Sequence, residues 1–139
     1  MSAPWDTDRR AAIKAVPLFS TLDDAALEHV LRLAAEFDAP AGTVLVEAKR
    51  EATGLFILLE GTTEVDVAGR SIEHGPGDVI GELAVITDTA GRTARVRAKT
   101  AVRGLAIKRA DFQELLETEP AIAVAMVELL AKRLAAMAQ

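Results

Sequence analysis

The sequence predicts an α+β fold in which antiparallel strands form a roll or a sandwich, with helices at both ends of the chain. Three observations lead to this prediction. Apolar residues recur at helical spacing near both termini, short apolar runs alternate with turn residues between them, and no internal repeat interrupts this order. A chain of 139 residues has room for one hydrophobic core, so we expect a single domain spanning residues 1–139.

The N-terminal part, residues 8–36, is predicted to contain two helices. The first runs from Asp8 to Val16, and the residues before it lack periodicity and are expected to fray. The second begins after Ser20 or Thr21, either of which can cap it. Apolar residues at helical spacing are expected to form its buried stripe: Leu27, Val30, Leu31 and Ala34.

The middle part, residues 37–107, has the pattern of antiparallel strands. Turn residues separate the apolar runs at 40–42, 60–61, 68–70 and 75–77. Two segments alternate strictly and should each turn one face to the core, with Thr63, Val65 and Val67 inward in one and Ala94, Val96 and Ala98 inward in the other. The more continuously apolar Thr53–Leu59 is predicted to be a central strand, and Ala101–Ile107 a further strand.

The C-terminal part, residues 108–139, returns to helical spacing. A short helix is predicted over Asp111–Glu117, and Pro120 opens a long one that ends at about Met137. The apolar residues of the long helix wrap more than one face, so we expect it to be covered on two sides. They are Ile122, Val124, Met126, Val127, Leu129, Leu130, Leu134 and Met137.

Composition excludes several classes of function. The formal net charge of −5 argues against general binding to nucleic acid or anionic lipid, so any bound anion must be held locally. The chain contains no cysteine, lacks a secretory signal and has no apolar run long enough to span a bilayer, and we therefore expect a cytoplasmic protein. His29 and His74 are separated from each other and from clustered carboxylates, so we interpret them as surface residues and expect no metal site.

One segment, Gly77–Ala94, interrupts the β pattern and carries the chemistry. Residues 81–86 can form a helical turn whose free amides point at one spot and attract an anion. Arg92 and Thr93 then supply a planar guanidinium and a hydroxyl suited to two oxygens of one phosphate, and Glu82 supplies an acceptor for a sugar hydroxyl. These residues indicate a local site for an anion.

The same residues resemble the cyclic-nucleotide-binding domain family of catabolite activator proteins, kinase regulatory subunits and cyclic-nucleotide-gated channels. The resemblance runs through nearly the whole chain, from Val16-Pro17-Leu18-Phe19 through Phe56-Ile57-Leu58-Leu59-Glu60-Gly61, Gly75-Pro76-Gly77-Asp78 and Gly81-Glu82-Leu83 to Arg92-Thr93-Ala94 and the final helix. It implies a jelly-roll-like β-roll of about eight short strands with a phosphate-binding cassette at residues 81–94.

In that resemblance, Glu82 binds the ribose 2′-hydroxyl and Arg92 binds the cyclic phosphate of cAMP or cGMP, with no other cofactor. The amides of Leu83, Ala84 and Thr93 add donors. The Thr93 hydroxyl has two interpretations. It either forms a hydrogen bond with its own backbone, or it contacts the ligand at a phosphate oxygen or at a guanine amino group. The candidate ligand-binding residues are Gly81, Glu82, Leu83, Ala84, Arg92, Thr93 and Ala94.

The resemblance also implies that the helix opened by Pro120 is a lid that reports occupancy, with a surplus face for a second copy or an effector domain. Family members that control transcription continue into a helix-turn-helix, but this sequence ends at Gln139, so we expect no direct contact with DNA.

Three classes of function are therefore compared. A non-catalytic sensor of a cyclic nucleotide is the first, and a ligand-free scaffold or dimerisation domain, in which Glu82 and Arg92 pair with each other, is the second. An enzyme is the third, but the residues that can be placed together supply neither a nucleophile nor a paired acid and base, so we expect no catalysis.

Overall fold

The computed structural model describes residues 3–46, 54–67, 69–81 and 94–137. Helices α1 (Ala3–Ala15) and α2 (Asp24–Leu33) come first. The strands are β1 (Ala34–Ala39), β2 (Val44–Val46), β3 (Gly54–Glu60), β4 (Thr63–Val67), β5 (Arg70–His74), β6 (Val79–Ile80), β7 (Ala94–Ala98) and β8 (Val102–Lys108). Helices α3 (Arg109–Thr118) and α4 (Pro120–Met137) follow. This order confirms the predicted α+β fold with helices at both ends of the chain.

The chain divides into two compact units. One contains residues 1–32 and 114–139, which carry helices from both ends of the chain, and the other contains residues 33–113, which carry the strands. The single domain expected from the sequence stays a prediction.

Helix α1 begins earlier than the sequence predicts, at Ala3 rather than Asp8. A proline is well tolerated in the first turn of a helix, because the N–H it lacks has no partner there, and Pro4 is therefore compatible with the earlier start. Two cations of α1 donate to carbonyl oxygens further along the chain, Arg9 to Leu31 at 2.9 Å and Lys14 to Leu22 at 2.5 Å. These bonds tie α1 to the turn before α2 and to the last turn of α2.

Helix α2 is capped by Asp23, and not by Ser20 or Thr21 as expected. The Asp23 carboxylate accepts a hydrogen bond from the Ala26 N–H at 2.8 Å, the geometry of an N-terminal cap. The expected caps lie in a series of tight turns instead, where the Ser20 hydroxyl donates to the Pro17 carbonyl at 3.2 Å. Because the chain is folded into turns at Ser20 and Thr21, the cap of α2 lies two or three residues later, at Asp23.

The first sheet has the strand order β1–β8–β3–β6, with every neighbouring pair antiparallel. The interior position of β3 confirms the predicted central strand, and β8 confirms the strand predicted after Ala101. β1 starts at Ala34, which the helical stripe had placed in α2. Ala34 pairs with Ile107, so the chain exchanges helical hydrogen bonds for those of the sheet at this residue.

The second sheet has the order β2–β7–β4–β5, also antiparallel. Its inner face is formed by the residues that the alternation predicts, since Val65 and Val96 are buried while Arg95 and Arg97 are exposed. The turns between strands are also confirmed, with positive φ at Gly42, Gly61, Gly69 and Gly77.

The two sheets share one hydrophobic core. Leu58, Ile80 and Val102 come from the first sheet and Val65, Val96 and Ala98 from the second, and all six are buried in one cluster. Phe37 and Phe56 pack against it with their rings 5.2 Å apart and edge to face. This two-layer packing confirms the antiparallel roll.

Helix α4 has the bounds that the sequence predicts, whereas α3 begins at Arg109, two residues early. The expected cover on two sides of α4 is wrong. Ile122 and Met126, four residues apart and so on one face, are 0% and 3% exposed, but Val124, Val127 and Leu134 are 60%, 66% and 69% exposed. Among the described residues of α4, Ile122 and Met126 mark a packed face, and Val124, Val127 and Leu134 mark an exposed one.

Candidate anion-binding segment

The candidate segment connects the two sheets. Gly81 directly follows β6 in the first sheet, and Ala94 is the first residue of β7 in the second. Between them, Glu82, Leu83, Ala84, Arg92 and Thr93 lie outside the described residues, so the roles expected for them stay predictions. The structure does describe both ends from which the segment departs.

Gly81 requires the backbone freedom of glycine. Its φ is +92°, a conformation that other residues adopt only with strain. A Cβ at this position would also lie 3.1 Å from the carbonyl oxygen of Gly54 on the neighbouring strand β3. Gly81 therefore fixes the direction in which the chain leaves β6.

The turn before β6 is held by Asp78. Its carboxylate accepts the Gly75 N–H at 2.8 Å, and the Asp78 N–H donates to the Gly75 carbonyl at 3.0 Å. The turn is fastened to β3, because the Gly77 N–H donates to the Leu58 carbonyl at 2.7 Å and the Leu58 N–H donates to the Asp78 carbonyl at 3.0 Å. The sequence predicts this turn from its glycines, but not the role of the aspartate.

At its other end, the segment rejoins the second sheet beside a hairpin. Ala94 pairs with Val67, the last residue of β4, and Val67 pairs with Arg70, the first residue of β5. The chain therefore enters β7 next to the point where β4 turns into β5.

Near this hairpin, Ile72 of β5 is a partly exposed apolar residue. Ile72 pairs with Val65 and so lies on the same face of the sheet, yet it is 42% exposed while Val65 is 8% exposed. Next along this face, Thr63 is fully buried, and its hydroxyl has no hydrogen-bond partner among the described residues. The inner face of the roll thus carries a partly exposed apolar side chain, Ile72, and a buried hydroxyl, that of Thr63.

Several cations on the strands already have a carboxylate partner. Arg97 donates to Glu64 at 2.7 Å, and this bond raises the pKa of Arg97. Lys99 donates to Glu73, which raises the pKa of Lys99, and Arg103 lies 3.4 Å from Glu60. These pairs make the three cations poor receptors for a further anion.

A groove of about 400 Å³ lies on β1 and β8. It is lined by Glu36, Phe37, Asp38 and Arg103, so carboxylates outnumber cations there. This lining disfavours a phosphate.

The two histidines differ from the isolated surface residues that we expect from the sequence. His29 is 17% exposed, with Nδ1 3.0 Å from Glu119 and Nε2 3.0 Å from Glu114. His74 is 19% exposed, with Nδ1 3.5 Å from Asp78. Their partners lie far along the chain or across a turn, so sequence spacing alone does not reveal them. In the described residues, no group of three or more His, Cys, Asp or Glu side chains is arranged to hold a metal ion.

Within the part of the chain that the structure describes, no helix combines the length and apolar character needed to cross a membrane.

Comparison with known proteins connects this fold to one family. The pattern of the family described as the cyclic nucleotide-binding domain matches residues 36–119. A cyclic nucleotide-gated potassium channel of Mesorhizobium japonicum is 36% identical over 111 residues, which cover 80% of this chain and 31% of the channel. The chain therefore spans about a third of the length of that relative.

Two solved structures resemble the chain as a whole. The N-terminal domain of a transcriptional regulator from Streptomyces coelicolor has a TM-score of 0.67 and 29% identity, covering 91% of this chain and 94% of that domain. The catabolite activator protein of Thermus thermophilus has a TM-score of 0.75 and 25% identity, and the match covers 87% of this chain and 59% of that protein. The strand order, the turn before Gly81 and the family match over residues 36–119 lead to one conclusion: this chain belongs to the cyclic nucleotide-binding domain family.

Proposed function

We propose that this chain is a regulatory sensor domain that binds a cyclic nucleotide monophosphate, cAMP or cGMP, at residues 81–94. The observation that carries the proposal is the family match over residues 36–119, which includes the entire segment. Arg92 receives the cyclic phosphate, and Glu82 accepts a hydrogen bond from the ribose 2′-hydroxyl. Amides of the segment add further donors to the phosphate.

The charge distribution supports a local phosphate site. The formal net charge of −5 gives no general attraction for an anion, and Arg97, Lys99 and Arg103 are already paired with carboxylates. A guanidinium within the segment, together with backbone amides, supplies a local positive potential for the phosphate. Arg92 has the residue type and the position for this role.

The inner face of the roll supports a place for the base. Ile72 is exposed on the same face as the buried Val65, next to the hairpin where the segment rejoins β7. An aromatic base that covers Ile72 removes apolar surface from water. The ring phosphate then lies toward the segment and the base toward β5.

Signalling is proposed to pass through α4. Two similar proteins are named as a gated channel and as an activator protein, so a domain of this family can report ligand occupancy to another part of a protein. In this chain α4 is anchored by Ile122 and Met126, while Val127 and Leu134 are exposed and available to cover a ligand or contact an effector or a second copy. Neither nucleic acid, a membrane-inserted segment nor a further cofactor is part of this proposal, and we expect a cytoplasmic location.

Titration calorimetry with cAMP and cGMP tests the proposal. Replacing Arg92 with Ala removes a charged hydrogen-bond donor worth about 2–3 kcal/mol, so the affinity should fall roughly 30-fold to 150-fold. Arg95→Ala is the matched control, because Arg95 is an exposed arginine on the outward face of β7, and it should bind as the wild type does. Unchanged affinity in Arg92→Ala overturns the assigned phosphate contact.

Competition between the two nucleotides, measured on wild type and Thr93→Ala, decides the base preference. If the Thr93 hydroxyl contacts the guanine amino group, its removal lowers the affinity for cGMP and leaves that for cAMP unchanged. A parallel loss of both affinities assigns the hydroxyl to the phosphate, and no loss assigns it to its own backbone.

A ligand-free scaffold is the second candidate function, and the exposed face of α4 favours it. Val124, Val127 and Leu134 together give this helix an apolar surface that a second copy can cover. Thermal melts with millimolar cAMP or cGMP distinguish the candidates, since a ligand of the native state raises the melting temperature. No shift with either nucleotide, together with a dimer in sedimentation, supports the scaffold.

The proposed domain does not transform its ligand. Holding a phosphodiester without a positioned nucleophile stabilises the ground state and leaves the bond intact. Chromatography of cAMP or cGMP after long incubation with pure protein should recover the nucleotide unchanged, and its hydrolysis would contradict this part of the proposal.

A further inference from the structure

His29 has a carboxylate at each of its ring nitrogens. Nδ1 lies 3.0 Å from Oε2 of Glu119, and Nε2 lies 3.0 Å from Oε2 of Glu114. A carboxylate only accepts hydrogen bonds, so both contacts are hydrogen bonds only when both ring nitrogens carry a proton. The geometry therefore fits an imidazolium better than a neutral imidazole.

The three residues join separate helices within one compact unit. His29 lies on α2, Glu114 on α3, and Glu119 is the single residue between α3 and α4. The ring consequently links α2 to the junction at which α4 begins.

Two backbone hydrogen bonds cross this junction. The Glu119 N–H donates to the Leu115 carbonyl at 2.8 Å, and the Ile122 N–H donates to the Glu119 carbonyl at 2.9 Å. Beyond its buried contacts at Ile122 and Met126, α4 becomes exposed. A side-chain contact at Glu119, directly before α4, is therefore well placed to control how readily the first turn of α4 opens.

The charges around His29 favour its protonated form. Hydrogen bonds to Glu119 and then to Glu114 raise the pKa of His29, while partial burial and the positive charge of Arg32 on α2 oppose them. From α1, Arg10 is paired with Glu28, beside His29, and Arg9 donates to a backbone carbonyl of α2. The effect of the two carboxylates on the pKa of His29 is larger than that of the nearby cations.

We propose that His29 is a pH-dependent clasp that ties the α3–α4 junction to α2 when protonated and releases it when the ring loses its proton. A neutral ring keeps one N–H, so one carboxylate then faces a nitrogen lone pair and its contact is lost. The start of α4 becomes freer to open as the pH rises. The proposal does not rest on cyclic nucleotide binding, because its three residues lie within one compact unit.

NMR titration of the intact, ligand-free chain tests the protonation step. The His29 ring, assigned by the loss of its signal in His29→Gln, should titrate at a higher pH in the folded chain than in urea. Glu119→Gln should lower that pKa. Glu117→Gln is the matched control, because it makes the same charge change at an exposed residue of α3. It should leave the His29 titration nearly unchanged. Equal titration in folded and unfolded chains overturns the clasp.

Hydrogen exchange tests the consequence for α4. The amides at the start of α4, corrected for intrinsic rates, should open about 3-fold to 10-fold more at about pH 8 than at about pH 6, the effect of losing one partly exposed charged hydrogen bond. In His29→Ala and Glu119→Ala, which have no side-chain group to form either contact, the opening should be high at both pH values. Amides of β3 report global unfolding and serve as the reference. A pH dependence that persists in both variants, or none in the wild type, contradicts the proposal.

Discussion

The carboxylate of Asp78 accepts a hydrogen bond from the backbone N–H of Gly75 at 2.8 Å, closing the turn that leads into β6. The main chain of the same turn bonds to Leu58 in both directions. One side chain thus fixes the path by which the chain reaches Gly81 and the candidate segment.

Replacing Asp78 with Ala should lower the free energy of unfolding by about 1–2 kcal/mol, because the Gly75 N–H loses its partner. It should also weaken binding of a cyclic nucleotide, since the turn positions the start of the segment. Urea denaturation and calorimetry measure the two effects. Asp78→Asn keeps an oxygen acceptor and should lose less stability than the Ala variant. Equal stability of wild type and Asp78→Ala would show that the turn does not need this bond.

Gly81→Ala should destabilise the fold by about 1–3 kcal/mol, because a φ of +92° strains any L-residue and the new Cβ approaches Gly54. Gly75→Ala is the matched control. Its Cβ would meet only a Thr62 methyl group at 4.0 Å, so we expect a change within about 0.5 kcal/mol. Denaturation curves of the two variants give the comparison, and similar losses would refute the special role of Gly81.

Thr63→Val should raise the free energy of unfolding by about 1 kcal/mol. The Thr63 side chain is fully buried and its hydroxyl is unpaired, so a methyl group of similar size removes the cost of burying that hydroxyl. Thr62→Val, at the half-buried neighbouring position, should change stability little. A loss of stability in Thr63→Val would mean that the hydroxyl has a partner in solution.

The two faces of α4 should respond differently to truncation. Ile122→Ala removes a fully buried side chain and should cost about 2–4 kcal/mol, whereas Val127→Ala, at a position 66% exposed, should stay within about 0.5 kcal/mol. Thermal or urea unfolding at low protein concentration separates the two. A large cost for Val127→Ala would show that another surface covers this face of the helix.

The stability of the chain should fall as the pH rises through the pKa of folded His29. That pKa is raised, so the folded chain binds the His29 proton more tightly than the unfolded chain does. The stabilising contribution is therefore complete below the ordinary pKa of 6.5 and is lost above the folded value. Urea denaturation across this range should show the decline in wild type and a flatter profile in His29→Gln. Identical profiles would mean that other groups cause the pH dependence.

Local patterns in the sequence predict most of the elements, and the structure confirms them where one residue type decides the conformation. Alternation places Val65 and Val96 inward, and Pro120 marks the first residue of α4. The boundaries at Asp23 and Ala34 were wrong because competing partners decide them: a carboxylate cap in the first case and pairing with Ile107 in the second. Helical spacing alone reveals neither the Asp23 cap nor the pairing of Ala34 with Ile107.

In the candidate segment, too, the sequence predicts some features and not others. It identifies the glycines, Glu82 and Arg92, because their residue types and spacing are those of an anion-binding site. Asp78 was not identified from the sequence as the residue that holds the turn before β6, since an aspartate in a turn has many roles. Its contact with Gly75 forms only when the turn folds back on β3.

The sequence by itself determined the order of helices and strands, the face of each alternating strand and the residues suited to a phosphate, because these follow from periodicity and side-chain chemistry. Only the tertiary structure decided that His29 lies between Glu114 and Glu119 and that one face of α4 is uncovered. Such contacts join residues distant in the chain, and their energies depend on distance and burial, which no local pattern encodes.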